Sequence, residues 1–389
     1  MQKASYVHFG AAVLSVSILV GSRHTASAGD VRLPSAMTVT AYDTGTSGFN
    51  ITVAVGKALK EKFGTEVRVL PAGNDVARLA PLKSGRAQLS AMGTGIYFAQ
   101  EAVFEFAAKD WGPQGLRIVL SSLDCNGAAL GVAADTGVKQ MKDLKGKRVG
   151  FVVGSPALNQ NALAMIAFGG LTKDDVKIVE FGGFGAMWKG MLNNDVDAAI
   201  VSTITGQARE LEVSPRGLTW VAMPHSDTAG WERVRKVAPF VQPHTATCGA
   251  GGLSEKNPVQ MGGFPYPIYV VYDSQPDDQV YAVTKAMIDT YDQYKDGAPG
   301  ASGLGIKRQT TQWVLPFHAG AVRAFKEAGK WTDADERHNQ GLLKRQHGLR
   351  EAWQAYIGNN PPEDKGAFQT GWMAARKEAL VRAGLDPIF

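Results

Sequence analysis

Apolar and polar positions follow two rhythms along this chain. Residues 37–42 alternate as a half-buried strand does, and turn chemistry follows at 43–48. Ile51, Val55, Ala58 and Leu59 then form an apolar stripe at helical spacing. Residues 67–70 predict a short strand ending at Pro71, with Gly73-Asn74 as a turn. Val76, Leu79 and Leu82 mark a second helix, stopped at Gly85, and 88–92 predict another strand. This strand–helix order is that of an open α/β sheet. One more strand is predicted at 117–122, just before Cys125.

The same order then recurs. Strands are predicted at 147–153, 176–181 and 198–201, with helices at 158–168 and 185–192 and turns at Gly154-Ser155 and Gly182-Gly183. Adding 109 to a residue number carries Gly45 to Gly154, Thr46 to Ser155, Asn50 to Asn159 and Gly73 to Gly182. It also carries Val67 and Val69 to Val176 and Ile178, and Thr94 to Thr203, without a gap. Turn residues and core residues match together, which predicts two similar lobes.

Residues 238–263 are rich in Pro, Gly and Thr and read as a return segment. A strand at 268–272 and a helix at 277–294 follow, with Val280, Val283, Met287 and Tyr291 on one face; 297–305 read as a flexible loop. Beyond Trp331 the pattern is helical. Leu342, Leu349, Trp353 and Tyr356 form one stripe, and Phe368, Trp372 and Ala375 another, as in helices packed on a finished core.

The first 28 residues read as a leader. Lys3 precedes an apolar run at 11–20, Ala26-Ser27-Ala28 fits small-x-small cleavage, and no acid occurs before Asp30. The run falls well short of the roughly 20 residues of a membrane-spanning helix, so a signal peptide cleaved after Ala28 is expected. The protein is then exported. In an oxidising compartment the only two cysteines, Cys125 and Cys248, form either a disulfide or a pair of buried thiols.

The net charge of +5 comes from scattered basic residues. This favours anionic small molecules or an acidic surface over nucleic acid as partners. No Walker-type loop, dinucleotide fingerprint, nucleophile elbow or zinc-type His spacing occurs, so no cofactor, metal or catalytic set is expected. What recurs is a strand–turn–helix junction rich in small hydroxyl and amide residues, 44–50 in one half and 154–159 in the other. Helix starts have unpaired N–H groups and favour anions. The bland alternative is that Thr46, Ser47 and Ser155 are simply N-caps.

The segments TGTSGFNITVAVGKAL (44–59), LKSGRAQLSAMGTG (82–95), DLKGKRVGFVVGS (143–155) and LPFHAGAVRAFKEAGKW (315–331) resemble the TAXI family of solute receptors of TRAP-type transporters. The resemblance covers about 37–331. It implies an α/β, two-lobed type II periplasmic binding protein fold, a Venus-flytrap, to which this chain adds a C-terminal helical segment. The expected division is a signal peptide at 1–28, lobe 1 at 29–125 plus 240–331, lobe 2 at 126–239, and the helical extension at 332–389.

The resemblance also implies a periplasmic, non-enzymatic monomer. It would hold a small organic anion, such as a C4–C5 dicarboxylate or glutamate, and deliver it to a TRAP-type permease. Expected ligand contacts are Tyr42, Thr46, Ser47, Asn50, Asn74, Thr94, Ser155, Asn159 and Thr203, with Phe184 as an apolar wall. Trp188, His318 and Arg323 are expected to be structural. The chain departs from the family at Gly154-Ser155-Pro156-Ala157 and at 248–252. The alternatives are a receptor for an ABC importer, a periplasmic enzyme, or a sensor input.

Overall fold

In the computed structural model, which describes residues 1–2 and 32–389, the strand β1 (Ala36–Ala41) leads through a tight turn into helix α1 (Ser47–Phe63). Residues 3–28 of the expected signal peptide lie outside the described residues. Helix α1 begins where the Thr46 side chain accepts the Phe49 N–H at 3.3 Å. It ends at Gly64, whose φ of +70° is left-handed and whose N–H returns to the Lys60 carbonyl. The stripe expected from the sequence, Ile51, Val55, Ala58 and Leu59, is the buried face.

The first lobe continues with β2 (Glu66–Pro71), α2 (Asp75–Lys83), β3 (Leu89–Met92), α3 (Gly95–Glu101) and β4 (Leu116–Ser121). The chain then crosses to the second lobe. There it forms β5 (Ala128–Ala133), β6 (Arg148–Val152), α4 (Pro156–Phe168), β7 (Lys177–Phe181) and α5 (Phe184–Leu192). It goes on through β8 (Ala198–Ser202), α6 (Gly206–Val213), β9 (Leu218–Trp220), α7 (Thr228–Val237), β10 (Gln242–Ala246) and β11 (Val259–Gly263). After a second crossing come β12 (Ile268–Tyr272), α8 (Asp277–Asp289), α9 (Tyr291–Tyr294) and α10 (Ala319–Glu327). The long helices α11 (Asp333–Gly358) and α12 (Lys365–Arg382) close the chain.

Among the described residues there are two sheets. One has the order β2-β1-β3-β12-β4; the other runs β10-β11-β5-β8-β6-β7, with β9 also paired to β5. Each contains three parallel strands (β2-β1-β3 and β7-β6-β8) followed by an antiparallel strand that has just arrived from the other lobe, β12 or β5. The 109-residue offset therefore describes real architecture: it carries the start of α1 at Ser47 to Pro156 of α4, and the whole of α2 onto α5. The protein is a two-lobed α/β fold with a helical C-terminal segment.

Two sequence expectations need correction, and one strand went unread. The segment at 238–263 does not yet return to the first lobe: β10 and β11 form an antiparallel pair on the edge of the second sheet. Pro243 is tolerated because β10 has a neighbour on one side only. The second lobe thus extends to Gly263, and the return crossing is at 264–267 instead of 240. The 297–305 loop is packed, with Ala301 and Leu304 buried; the Ser122 hydroxyl donates to the Gly300 carbonyl at 2.8 Å and the Leu123 N–H to Gly303 at 3.2 Å. Finally, β5 carried no alternation in the sequence because it is buried at every position.

The two crossings lie side by side, since the Ser122 N–H donates to the Pro267 carbonyl at 2.9 Å and the Tyr266 N–H to Ser122 at 2.7 Å. Cys125 and Cys248 are joined as a disulfide with Cα atoms 5.5 Å apart. Cys248 lies in the loop between β10 and β11, so the bridge ties the first crossing to the base of the second lobe and does not reach the second crossing.

The tail helices dock on the first lobe. Trp372 is fully buried against Ala102 and Ala107 and stacks edge-on against Trp353, with ring centres 4.8 Å apart. Beneath it the buried Glu101 carboxylate receives Arg345 at 2.7 and 2.8 Å and is also paired with Arg376. Burial alone would raise the Glu101 pKa, but these two guanidiniums hold it below its ordinary value.

Candidate functional site

A cavity of about 60 Å³ lies between the lobes, where the parallel strands of both sheets end. Open α/β sheets place ligands beyond the carboxyl ends of their strands, because the helix starts converge there. Tyr42 follows β1, Gly93 and Thr94 follow β3, Ser202 ends β8 and Thr205 lies just beyond it. Tyr42, Phe184, Phe264 and Tyr266 form aromatic walls; Thr46, Thr94, Asn126, Asn161, Ser202 and Thr205 supply hydroxyls and amides. No lining residue carries a charge.

The charge sits one layer behind Tyr42. Asp75, the first residue of α2, is fully buried. Its Oδ1 accepts from the Tyr42 hydroxyl at 3.0 Å and from Arg78 Nη2 at 2.6 Å. Its Oδ2 accepts from two second-lobe donors, the Ser155 hydroxyl at 3.1 Å and the Ala157 N–H at 2.8 Å. Arg78 lies with its guanidinium 3.3 Å from the Tyr42 ring centre and gives Nη1 to the Ala91 carbonyl at 2.9 Å. Gly95 makes room for this carboxylate, because a Cβ there would stand 2.6 Å from the Asp75 carboxyl carbon.

The starts of α5 and α6 in the second lobe are met in the same way. The first N–H of α5, on Phe184, donates to the Gly73 carbonyl at 2.9 Å, and the next, on Gly185, to Asp43 Oδ2 at 2.9 Å. The first N–H of α6, on Gly206, reaches the Gly45 carbonyl at 3.3 Å. In return the Val76 N–H of α2 donates to Gly154 at 3.1 Å. The lobes are held together by each capping the other's helices. Burial pushes the Tyr42 phenol well above its ordinary pKa, against the pull of Arg78, and raises that of Tyr266 to about 12. Both phenols therefore stay protonated donors at neutral pH.

The structure separates the residues expected from the sequence into three groups. Tyr42, Thr46, Thr94 and Phe184 line the cavity. Ser155 is buried behind it, facing Asp75, and Ser47 is buried at the start of α1 with no partner for its hydroxyl among the described residues. The remaining four lie elsewhere. Asn50 is exposed on α1. Asn74 caps α2, accepting the Ala77 N–H at 2.8 Å.

Asn159 is spent on the preceding strand β6, accepting the Val152 N–H at 2.9 Å and donating to the Val152 carbonyl at 3.0 Å. Thr203 is buried beside the bridge and donates to the Cys248 carbonyl at 2.8 Å. Trp188 is core, and His318 caps α10 through Nδ1. Arg323 pairs with the exposed Asp278.

Sequence reasoning missed Asp75 and Asn161. Asn161, not Asn159, faces the cavity: two residues turn a helix by about 200°, so the two amides point apart. Asn161 shares the face of Ala157 and Leu158, gives Nδ2 to Thr94 at 3.1 Å, and has a buried Oδ1 without a partner among the described residues. A signal for Asp75 existed within the repeat. The offset of 109 sets this acid against Phe184, a charge against an aromatic ring at equivalent first helical positions.

A family model described as the NMT1-like family matches residues 39–329. The chain belongs to this family. The match takes in both lobes and stops short of α11 and α12. Among solved structures, an ancestral arginine-binding protein bound to arginine is similar at 18% identity, covering 68% of this chain and 98% of that one, with a TM-score of 0.42. The alkanesulfonate-binding protein of Xanthomonas axonopodis pv. citri bound to MOPS is similar at 17% identity, over 80% of this chain and 95% of that one, with a TM-score of 0.42. No helix among the described residues is long and apolar enough to cross a membrane.

Proposed function

We propose that this NMT1-like protein is an exported solute receptor that closes its two lobes around a small carboxylate-bearing molecule and hands it to a TRAP-type permease. One observation carries the reading. The cavity is lined from both lobes and both crossings, so a solute held there touches everything that a hinge would bring together. Its walls suit binding: aromatic faces bury an apolar body, and hydroxyls and amides meet its polar groups. The segments at 44–59, 82–95, 143–155 and 315–331 support the choice of transporter class.

Native mass spectrometry of freshly purified protein tests for a retained solute, and a melting screen of C3–C6 carboxylates and amino acids identifies its class. A ligand at 100 times its Kd adds about 2.7 kcal/mol to stability. A screen in which nothing shifts the midpoint rejects the receptor. Solute uptake with the protein supplied to cells should follow an ion gradient; dependence on ATP hydrolysis would assign it to an ABC importer.

A further inference from the structure

We infer that Asp75 sets the specificity of the cleft: it fills, with the chain's own carboxylate, the anion cradle that spans the two lobes, so the solute brings at most one carboxylate of its own. The inference rests on the receptor reading and narrows its ligand.

The cradle is complete without a solute. Arg78, Tyr42, Ser155 and the Ala157 N–H surround one carboxylate, two donors on each oxygen and two from each lobe. Ser155, the N-cap of α4, makes no cap bond to its own helix, and Pro156 has no N–H to offer. The Ala157 N–H is therefore the donor that an anion at this helix start would seek, and Asp75 has taken it. The α5 start is taken likewise by Asp43.

The charge balance points the same way. Arg78 is the cation of this layer, and it is neutralised by Asp75 and covered by Tyr42. The cavity wall is uncharged, and Asp43, which caps the start of α5, adds a negative charge between the lobes. One carboxylate of the solute can be met by neutral donors of the wall, the Thr46, Ser202 and Thr205 hydroxyls; a second would be buried with no cation to offset it, which is strongly unfavourable. The free acceptor on the wall, Asn161 Oδ1, suits an N–H or O–H of the solute. The matching chemistry is a small monocarboxylate that also carries such a donor: an amino acid with an uncharged side chain, or a hydroxy acid.

Calorimetry with matched pairs tests this: glutamine against glutamate, asparagine against aspartate, 2-hydroxybutyrate against malate. The monocarboxylate of the pair that binds should be at least tenfold tighter on the natural chain. Asp75→Ala uncovers Arg78 and the α4 start, so it should lose or invert that preference, and acetate should raise its melting midpoint while leaving the natural chain unmoved. Asp75→Asn keeps the shape without the charge, and should lose the discrimination if Asp75→Ala does not fold. A natural chain that binds the dicarboxylate as tightly, or both variants keeping its preference, overturns the inference. If no pair member binds the natural chain, the receptor reading fails instead. The response of Asp75→Ala to acetate, or of Asp75→Asn to acetate if the Ala variant does not fold, then still decides whether the cradle takes a free carboxylate.

Discussion

Asp75 of the first lobe accepts the backbone N–H of Ala157 in the second lobe at 2.8 Å, so one lobe's side chain caps the other lobe's helix. The contact belongs to a fully buried ion pair, since Asp75 and Arg78 are both inaccessible to solvent. Removing one member of such a pair strands the other's charge in a low-dielectric site, which typically costs about 3–5 kcal/mol. Asp75→Ala should therefore lower the unfolding free energy by that amount, and Ser155→Ala by only about 1 kcal/mol. The double change Asp75→Ala with Arg78→Met should recover part of the loss, because no charge is left unpaired. Urea unfolding of the three variants measures this; a double variant no more stable than Asp75→Ala would show that stranded charge is not the cause.

Asn159 and Asn161 should respond in opposite ways. Asn161→Ala removes a cavity-facing amide and should weaken solute binding by about 1–3 kcal/mol, the scale of leaving a buried partner unpaired. Asn159→Ala removes two hydrogen bonds to Val152 and should lower stability by about 1–2 kcal/mol, leaving affinity within about twofold. Calorimetry beside thermal unfolding separates them. Equal effects on affinity would mean that α4 presents a different face to the solute.

The Cys125–Cys248 bridge closes a sequence separation of 123 residues, and a constraint on so long a loop acts chiefly on the unfolded chain. The unreduced protein, unfolded in denaturant, should show no titratable thiol. Reduction should lower stability by about 2–4 kcal/mol. Solute affinity should survive reduction, because the bridge fastens the base of the second lobe and neither cysteine lines the cavity. Two thiols per unreduced chain would contradict the bridge.

Acid should loosen the tail helices first. The Glu101 carboxyl is held below its ordinary pKa by Arg345 and Arg376 against the opposing effect of burial. Its contribution to stability is full above the unfolded value of about 4.3 and is lost as pH falls through the lower folded value. Glu101→Gln should be less stable at neutral pH, with two guanidiniums left without their carboxylate, and should lose less on acidification than the natural chain. Limited proteolysis within α11 and α12 at neutral pH and at about pH 3 reads this out. A variant with the same acid sensitivity as the natural chain would place the acid-labile group elsewhere.

Much of the architecture was legible because it is written in local chemistry. The stripe of Ile51, Val55, Ala58 and Leu59 predicted the buried face of α1, and the 109-residue register predicted the equivalence of α1 with α4. Legibility failed where local pattern is silent: β5 has no polar face to alternate with, and the Pro- and Gly-rich stretch holding β10 looks like loop although an edge strand tolerates it.

Within the site the division is sharper. The sequence by itself determined two sheets, paired helix starts rich in hydroxyls and amides, and a cleft between them, since periodicity and turn residues act over a few positions. Only the tertiary structure decided which of those residues faces the cavity. The two asparagines matched by the repeat, Asn50 and Asn159, end up exposed and tied to Val152 respectively, because a shared backbone position does not impose a shared side-chain environment. The tertiary structure also decided what meets the start of α4. Asp75 and Ala157 are 82 residues apart, and no local rule relates them; they meet because the lobes close and a buried carboxylate must find donors wherever the fold brings them.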